Sequence, residues 1–461
     1  MSTKPLPPVI IFSSSSSAFT SALYPSTGDG NVTLTTGAGN SYIHELGGND
    51  TITTGAGNST IIIEDVGGGS TITTGAGNST IKTGAGDSTI TTGAGDSSIY
   101  TGNGDSTIIT GAGVSTIYTG DGNETITTGV GNSIITTGAG VSTIITGAGN
   151  EFITTGAGAS TITTGVGNST ITTGAGDSTI TTGVGNSTIT TGAGNETITT
   201  GAGNETITTG MGSSNITTGA GNSTITTGVG DSTIVTGAGN EIISTGAGNN
   251  TITTGAGNSV VDVGIGNGTV TLGAGDNLVS YHVSGNIGSN SSSTFIAGAG
   301  HNTLNLMMTT DELNIDAVKN DLLDYNLFLT NNGPNSAAAF TFKAFGLTVS
   351  MFDTIVTYAV PIDQNDEVQI NLVTGSIKSN AMDLTLVNIN TGGTAYNPLS
   401  IVSVDLGSST SGATISLNAN GTVHYVPLTA NNSLDDHFSY VLQDHDHVNH
   451  DVTVTLTGVA L

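Results

Sequence analysis

The sequence of 461 residues contains no cysteine, no tryptophan and no arginine, and its five basic residues are all lysine. Without cysteine there is no disulfide framework and no thiolate metal site. With so few cations against a formal charge of −29, the chain repels phosphate backbones and anionic lipid, because affinity for nucleic acid comes chiefly from Lys and Arg displacing counterions. A run of about eighteen or more apolar residues, the length a membrane-spanning helix needs, is also missing. Neither nucleic acid nor membrane insertion is expected. Near the start, Val9-Ile10-Ile11-Phe12 is the only apolar stretch; it follows Pro5, Pro7 and Pro8 and precedes Ser13 to Ser17. That core is too short for a secretory signal peptide, so an exported chain needs another route.

What is abundant is glycine, 71 residues of it, and it recurs in phase. Aligned on one apolar position, Leu34, Ile43, Ile52 and Ile61 are followed by Ile72, Ile81, Ile90 and every ninth residue to Val279, giving about twenty-eight copies of a nine-residue unit with one two-residue insertion around Glu64 to Gly68. The unit Thr83-Gly84-Ala85-Gly86-Asp87-Ser88-Thr89-Ile90-Thr91 serves as template. Its second and fourth positions stay glycine, as expected where the backbone needs a positive φ or approaches a neighbouring turn. Its eighth stays Ile or Val, a β-branched side chain suited to a buried pleated surface. The third, seventh and ninth accept residues as different as Met211, Phe152 and Lys82, and so face outward. Outward seventh, inward eighth and outward ninth make a short strand. Each unit is therefore one strand and one glycine-rich turn. Nine residues cannot enclose a core alone, so the units wind into an all-β parallel β-solenoid with two or three units per turn. Asn or Asp at the fifth position is expected to stack in ladders that bond backbone groups of the next turn, and the nearly invariant first-position Thr is expected to act similarly.

The unit resembles the RTX nonapeptide of secreted bacterial proteins, Gly-Gly-x-Gly-x-Asp-x-apolar-x, over residues 28 to 279, with an outlying copy at Gly298 to Leu304. The resemblance implies a right-handed parallel β-roll with calcium between turns, an extracellular location and type I secretion, the final Val459-Ala460-Leu461 serving as part of an uncleaved signal. The first Gly is Thr here, and the calcium-ligating Asp of the sixth position is mostly Ser, as at Ser88 and Ser178. The sixth position is acidic only at Asp50, Glu124, Glu151, Glu196, Glu205 and Glu241, and no two of these are two units apart. Asp87 and Asp105, both at the fifth position and two units apart, are the better pair for a cation. Calcium is expected at a few sites at most, with Asp50, Asp87 and Asp105 as candidates, and hydrogen bonds of Thr, Ser and Asn in its place elsewhere.

Four segments follow from these patterns: an N-terminal extension over residues 1–27, the solenoid over 28–306, a capping region over 307–382 and a C-terminal β-sandwich over 383–461. In the cap, Asp311 to Tyr325 predicts a short helix with Leu313, Ala317, Leu322 and Leu323 inward, and Phe345 to Val349 and Phe352 to Tyr358 predict strands. The last segment alternates as short strands, among them Ile401 to Val404, Thr414 to Leu417 and Asp451 to Leu456. Asn420 to Pro427, with Asp436-His437-Phe438-Ser439-Tyr440, is similar to cadherin-like or Ig-like modules of bacterial surface adhesins. Asp444-His445-Asp446-His447 places metal-ligand types at alternate positions of one strand face, suited to zinc or calcium, against the plainer expectation of a polar hairpin.

Gly86-Asp87-Ser88 and Asp444 with His447 imitate blocks of a hydrolase but stand in the wrong order, no HExxH or GxSxG is present, and repeats beginning near Gly28 leave no room for a catalytic domain before the array. A non-enzymatic protein is expected. The leading expectation is a secreted structural subunit of a filament, matrix or surface layer whose partner is itself as a homo-oligomer. Val9, Ile10, Ile11 and Phe12 form a candidate assembly strand, either donated to a neighbour or covering the first turn of their own chain. Two alternatives are ice binding by the outward Thr-Ile-Thr faces, such as Thr161-Ile162-Thr163, and adhesion to carbohydrate or another cell through the sandwich, with Tyr396, Tyr425 and Tyr440 available.

Overall fold

The computed structural model describes residues 31–64, 67–288 and 292–357, and beyond these the backbone of separate strands, Val9–Ile11 and Ser21–Ala22 before the array and seven strands between Glu367 and Gly458 after it. The chain divides into two compact units, residues 1–239 and 240–461.

In the first unit each repeat gives one four-residue strand from its sixth to its ninth position, as in Ser88–Thr91 and Ser97–Tyr100. Consecutive strands belong to different sheets. Ser88–Thr91 pairs in parallel with Ser106–Ile109, which pairs with Glu124–Thr127, while Ser97–Tyr100 pairs with Ser115–Tyr118 in the second sheet. Partners are eighteen residues apart, so one turn holds two repeats; a triangular winding of three is excluded. Where the two extra residues enter, Asp50 lies opposite Ser70 and the register of the sheet is kept.

Each strand turns its sixth and eighth side chains inward. Ile90, Ile108 and Ile126 stack in one sheet and Ile99, Ile117 and Ile135 in the other, all with no exposed surface. Identical β-branched side chains directly above one another suit the pleat, and each is worth about 1.5–3 kcal/mol relative to exposure. The seventh and ninth positions face out, as expected. Ahead of the array, Val9–Ile11 pairs in parallel with Thr33–Thr35, and Ser21–Ala22 with Ser41 and Tyr42. The candidate assembly strand thus lies against the first turn of its own chain; Phe12 lies outside the described residues.

The second unit has a two-sheet winding of its own. Its strands Val260–Val263, Asn277–His282, Asn302–Thr309 and Thr354–Val360 form one parallel sheet, and Asn250–Thr253, Gly268–Thr271, Ser293–Ile296 and Leu347–Ser350 the other. Both strands expected in the cap are therefore parallel extensions of solenoid sheets, with Phe340–Phe342 folded back antiparallel on Leu347–Ser350. The helix runs over Asp316–Asn332, after a separate short turn at Thr310–Leu313. It buries Val318, Asp321, Leu322, Tyr325 and Asn326, whereas Leu323 and Ala317 are exposed. The expected inward set was counted from Leu313, and that phase does not carry across the break at Asn314 and Ile315. Tyr325 packs among Phe328, Phe340 and Phe342, and its hydroxyl donates to the Phe352 carbonyl at 3.2 Å.

Beyond residue 360, Thr414–Leu417 pairs antiparallel with Val423–Val426 and Asp435–Gln443 with Asn449–Gly458. The packing of these strands as a sandwich lies outside the described residues.

Candidate functional site

The repeated turn is where the sequence departs from its calcium-binding pattern, and the unit from Thr101 to Ile109 shows how it is built. A Cβ added to Gly102 would stand 2.5 Å from the carbonyl oxygen of Gly84 in the turn before, and Gly104 has a φ of +127°. Successive turns therefore touch through their backbones, an approach only glycine allows. Across that contact the Gly102 N–H donates to the Gly84 carbonyl at 3.0 Å, and the Gly104 N–H donates to the Asp121 carbonyl of the following turn at 2.8 Å.

The fifth position forms the expected ladder. Oδ1 of Asp87 accepts from the backbone N–H of Asp105 at 2.9 Å, and Oδ1 of Asp105 from that of Asn123 at 2.8 Å. Asn40, Asn58 and Asn78 do the same on the other edge. Because the ladder uses only the side-chain oxygen as acceptor, Asn and Asp are interchangeable in it. Asp87 and Asp105 are exposed, one turn apart, each with an oxygen already engaged.

The first-position Thr does something the sequence did not indicate. It is buried, and its hydroxyl bonds the sixth-position Ser of the same unit: Thr83 to Ser88 at 2.9 Å, Thr92 to Ser97 at 2.8 Å, Thr101 to Ser106 at 3.0 Å, Thr110 to Ser115 at 2.8 Å. This clasp bridges the two ends of the glycine turn and satisfies two buried hydroxyls at once, each of which would otherwise cost about 1–3 kcal/mol. Correcting the expectation, in these units Thr ties its own turn, not the next. In the second unit the sixth position is Asn at Asn250, Asn277 and Asn302, and its amide donates to glycine carbonyls of its own turn: Asn250 to Gly246 at 3.0 Å and Gly248 at 3.3 Å, Asn277 to Gly273 at 3.2 Å and Gly275 at 2.9 Å.

Glutamate breaks the clasp. Glu124 is 2% exposed and lies in register between Ser106 and Ser142. Neither of its carboxylate oxygens makes a hydrogen bond of standard geometry, although Ser106 and Thr119 stand close enough to offset part of the cost of burial, and Glu151 and Glu196 are placed likewise beside Ser133 and beside Ser178 and Thr191. Glu205 accepts from the Ser187 N–H at 2.9 Å through one oxygen only. The threonines that begin these units, Thr119, Thr146, Thr191 and Thr200, have buried hydroxyls without partners. Burial, a cost to the charged form, pushes the carboxyls of Glu124 and Glu151 up to about 7 and raises those of Glu196 and Glu205 as well. Asp50 is buried too, with one oxygen accepting from the Val32 N–H at 2.9 Å.

A model of the RTX calcium-binding nonapeptide repeat matches in overlapping windows from residue 66 to residue 279. Residues 66–279 are RTX repeats. No curated protein and no solved structure matches the chain. RTX repeats are calcium-binding motifs, and the turns of this array differ in how they fit that ion. Calcium takes six to eight oxygen ligands, with carboxylates among them. A serine turn offers no anion and its hydroxyls bond each other; an asparagine turn presents N–H to the carbonyls. Neither fits. A glutamate turn fits better, since it holds a buried carboxylate with oxygens to spare, and Glu124, Glu151, Glu196 and Glu205 are the residues that would hold a cation there. Bound calcium would neutralise the buried charge. Sequence had singled out these acids and set them aside because none has a partner two units away; their burial, which only the fold reveals, is what makes them unusual. Asp444, His445, Asp446, His447 and Tyr396 lie outside the described residues, as do the side chains of Tyr425 and Tyr440.

Proposed function

We propose that the chain is a secreted bacterial structural protein, a self-assembling subunit of an extracellular filament, matrix or surface layer in which the RTX solenoid is the stiff element and the terminal segments are the joints. The proposal rests on one observation: in the first unit the interior is filled by the isoleucine stacks and by buried Thr, Ser and Glu side chains, so the surfaces left for interaction with other molecules are the sheet faces and the ends. RTX repeats and a β-solenoid fit a secreted repeat protein. Electron microscopy of the purified chain is expected to find ordered fibres or sheets, and deletion of residues 1–20, which include Val9 to Phe12, is expected to abolish them. Monodisperse particles at all concentrations would overturn the proposal; arrays that survive the deletion would remove the N-terminal segment from the joint.

One observation favours ice binding as a second activity. In the first unit the outward threonines are not evenly shared between the sheets. One sheet aligns Thr89, Thr107, Thr125, Thr143, Thr161 and Thr179 at the seventh position without interruption, whereas the other carries Lys82, Tyr100 and Tyr118 in one rank and Ile134 and Phe152 in the next. Phe152 and Asn215 therefore interrupt different sheets, and Tyr100 and Tyr118 stack at 5.3 Å on theirs. An uncharged, periodic rank of hydroxyls suits an ordered water lattice, although Ile109 and Ile145 interrupt the ninth-position rank beside it. Thermal hysteresis is expected for the wild type and lost in Thr125→Tyr; equal activity in the two would eliminate it.

A further inference from the structure

We propose that this RTX array folds and holds its turns without calcium, because most of its turns carry, at the position where the repeat family places a cation, hydrogen-bond donors of their own. The argument starts from what a cation needs. Calcium organises a turn by drawing together carbonyl and carboxylate oxygens that would otherwise repel. In the serine turns the sixth position presents a neutral hydroxyl, already closed on Thr: Thr155 to Ser160 at 2.8 Å, Thr164 to Ser169 at 2.9 Å, Thr182 to Ser187 at 2.9 Å. In the asparagine turns the substitution is more direct. The Asn302 amide donates to the Gly298 carbonyl at 2.7 Å and to that of Gly300 at 3.3 Å, so an N–H group takes the two glycine oxygens that converge on the turn.

The third-position and fifth-position carbonyls are engaged as well. Those of Ala112 and Val114 accept from the backbone N–H groups of Gly95 and Ser97, both at 2.8 Å, and the fifth-position oxygens are occupied in the ladder. Ligands already hydrogen-bonded in the protein give a cation little to gain by displacing those bonds. The glutamate turns lack a donor, as do those with Val32, Asp50 and Gly268 at the sixth position, and the glutamates are isolated: Glu124 is flanked by Ser106 and Ser142, Glu151 by Ser133 and Ser169, Glu205 by Ser187 and Ser223. Each of these glutamate turns is thus supported above and below by serine turns that have a donor.

The test uses the full chain with calcium chloride or with a chelator, followed by far-ultraviolet circular dichroism and thermal unfolding. The β-sheet signal is expected to be the same in both, with any rise of Tm in calcium below about 5 °C, the shift of a ligand that adds little to folding in a chain of this size. Loss of the sheet signal in chelator, or a rise of Tm beyond about 10 °C in calcium, would overturn the proposal. A variant with Glu124→Ser, Glu151→Ser, Glu196→Ser, Glu205→Ser and Glu241→Ser locates any smaller shift. Its disappearance supports the assignment, and its persistence would overturn it, placing calcium at turns without glutamate.

Discussion

The serine turns and the glutamate turns of the first unit share one backbone, one register and one isoleucine core, yet they are opposite solutions to the same problem. Both must bury a sixth-position side chain beneath a turn of touching glycines. Serine does so by giving its hydroxyl to Thr, as Ser106 does with Thr101. Glu124 buries a carboxyl that Ser106 and Thr119 approach without closing a hydrogen bond of standard geometry, so the Thr119 clasp is not made. The difference shows that the fold is carried by stacking and by the backbone, and that the turn chemistry is a local term laid over it.

Four experiments sharpen or break that contrast. The largest effect is expected to be blind to it: Ile108→Ala in a serine turn and Ile126→Ala in a glutamate turn should each cost about 2–5 kcal/mol in denaturant unfolding, because both side chains are fully buried in the same sheet. A clear inequality would show that the core itself differs between the two kinds of turn. Next, Glu124→Ser restores the clasp and should stabilise by about 1–2 kcal/mol at pH 8. The gain should shrink in acid, and the sign follows from linkage. Burial raises the folded-state pKa of Glu124 from 4.5 to about 7, so the folded form holds the proton more tightly than the unfolded one, and stability is full below about pH 4.5 and declines as pH rises to about 7. A flat pH profile from 4.5 to 7 in the wild type would contradict this. Ser106→Ala, which orphans the Thr101 hydroxyl, should cost about 1 kcal/mol, and no loss would demote the clasp to decoration. Smallest is Asp105→Asn, expected within about 0.5 kcal/mol, since the ladder needs only the oxygen; a large loss would point to a cation at Asp87 and Asp105.

Much of the solenoid was legible because its constraints repeat. The eighth-position Ile and the second-position and fourth-position Gly are conserved from copy to copy within one chain, and period two across the strand separates inward from outward without further information. Period says nothing about winding number, which depends on how far a Gly-Ala-Gly turn bends the chain, so two repeats per turn had to come from the register of Ser97 with Ser115. The Thr to Ser clasp was hidden for another reason. Both residues are small, polar and common in turns, and only their burial distinguishes a closed pair from two solvated hydroxyls. The helix over Asp316–Asn332 shows a third limit, since its buried face includes Asp321 and Asn326, which an apolar pattern does not count; Asp321 is held there by the Ala344 N–H at 2.6 Å.

Two repeats per turn also govern how such a chain can change in length. Gaining or losing eighteen residues adds or removes a full turn, and every later strand keeps its sheet, its neighbours above and below, and its outward face. Gaining or losing nine shifts every later strand to the opposite sheet, so that threonines aligned with Thr125 and Thr143 would continue the rank of Ile134 and Phe152. The core would not register the exchange, since Ile occupies both sheets alike. A lineage of such arrays is therefore free to vary by nines as far as folding is concerned, and only by eighteens if one face has a task.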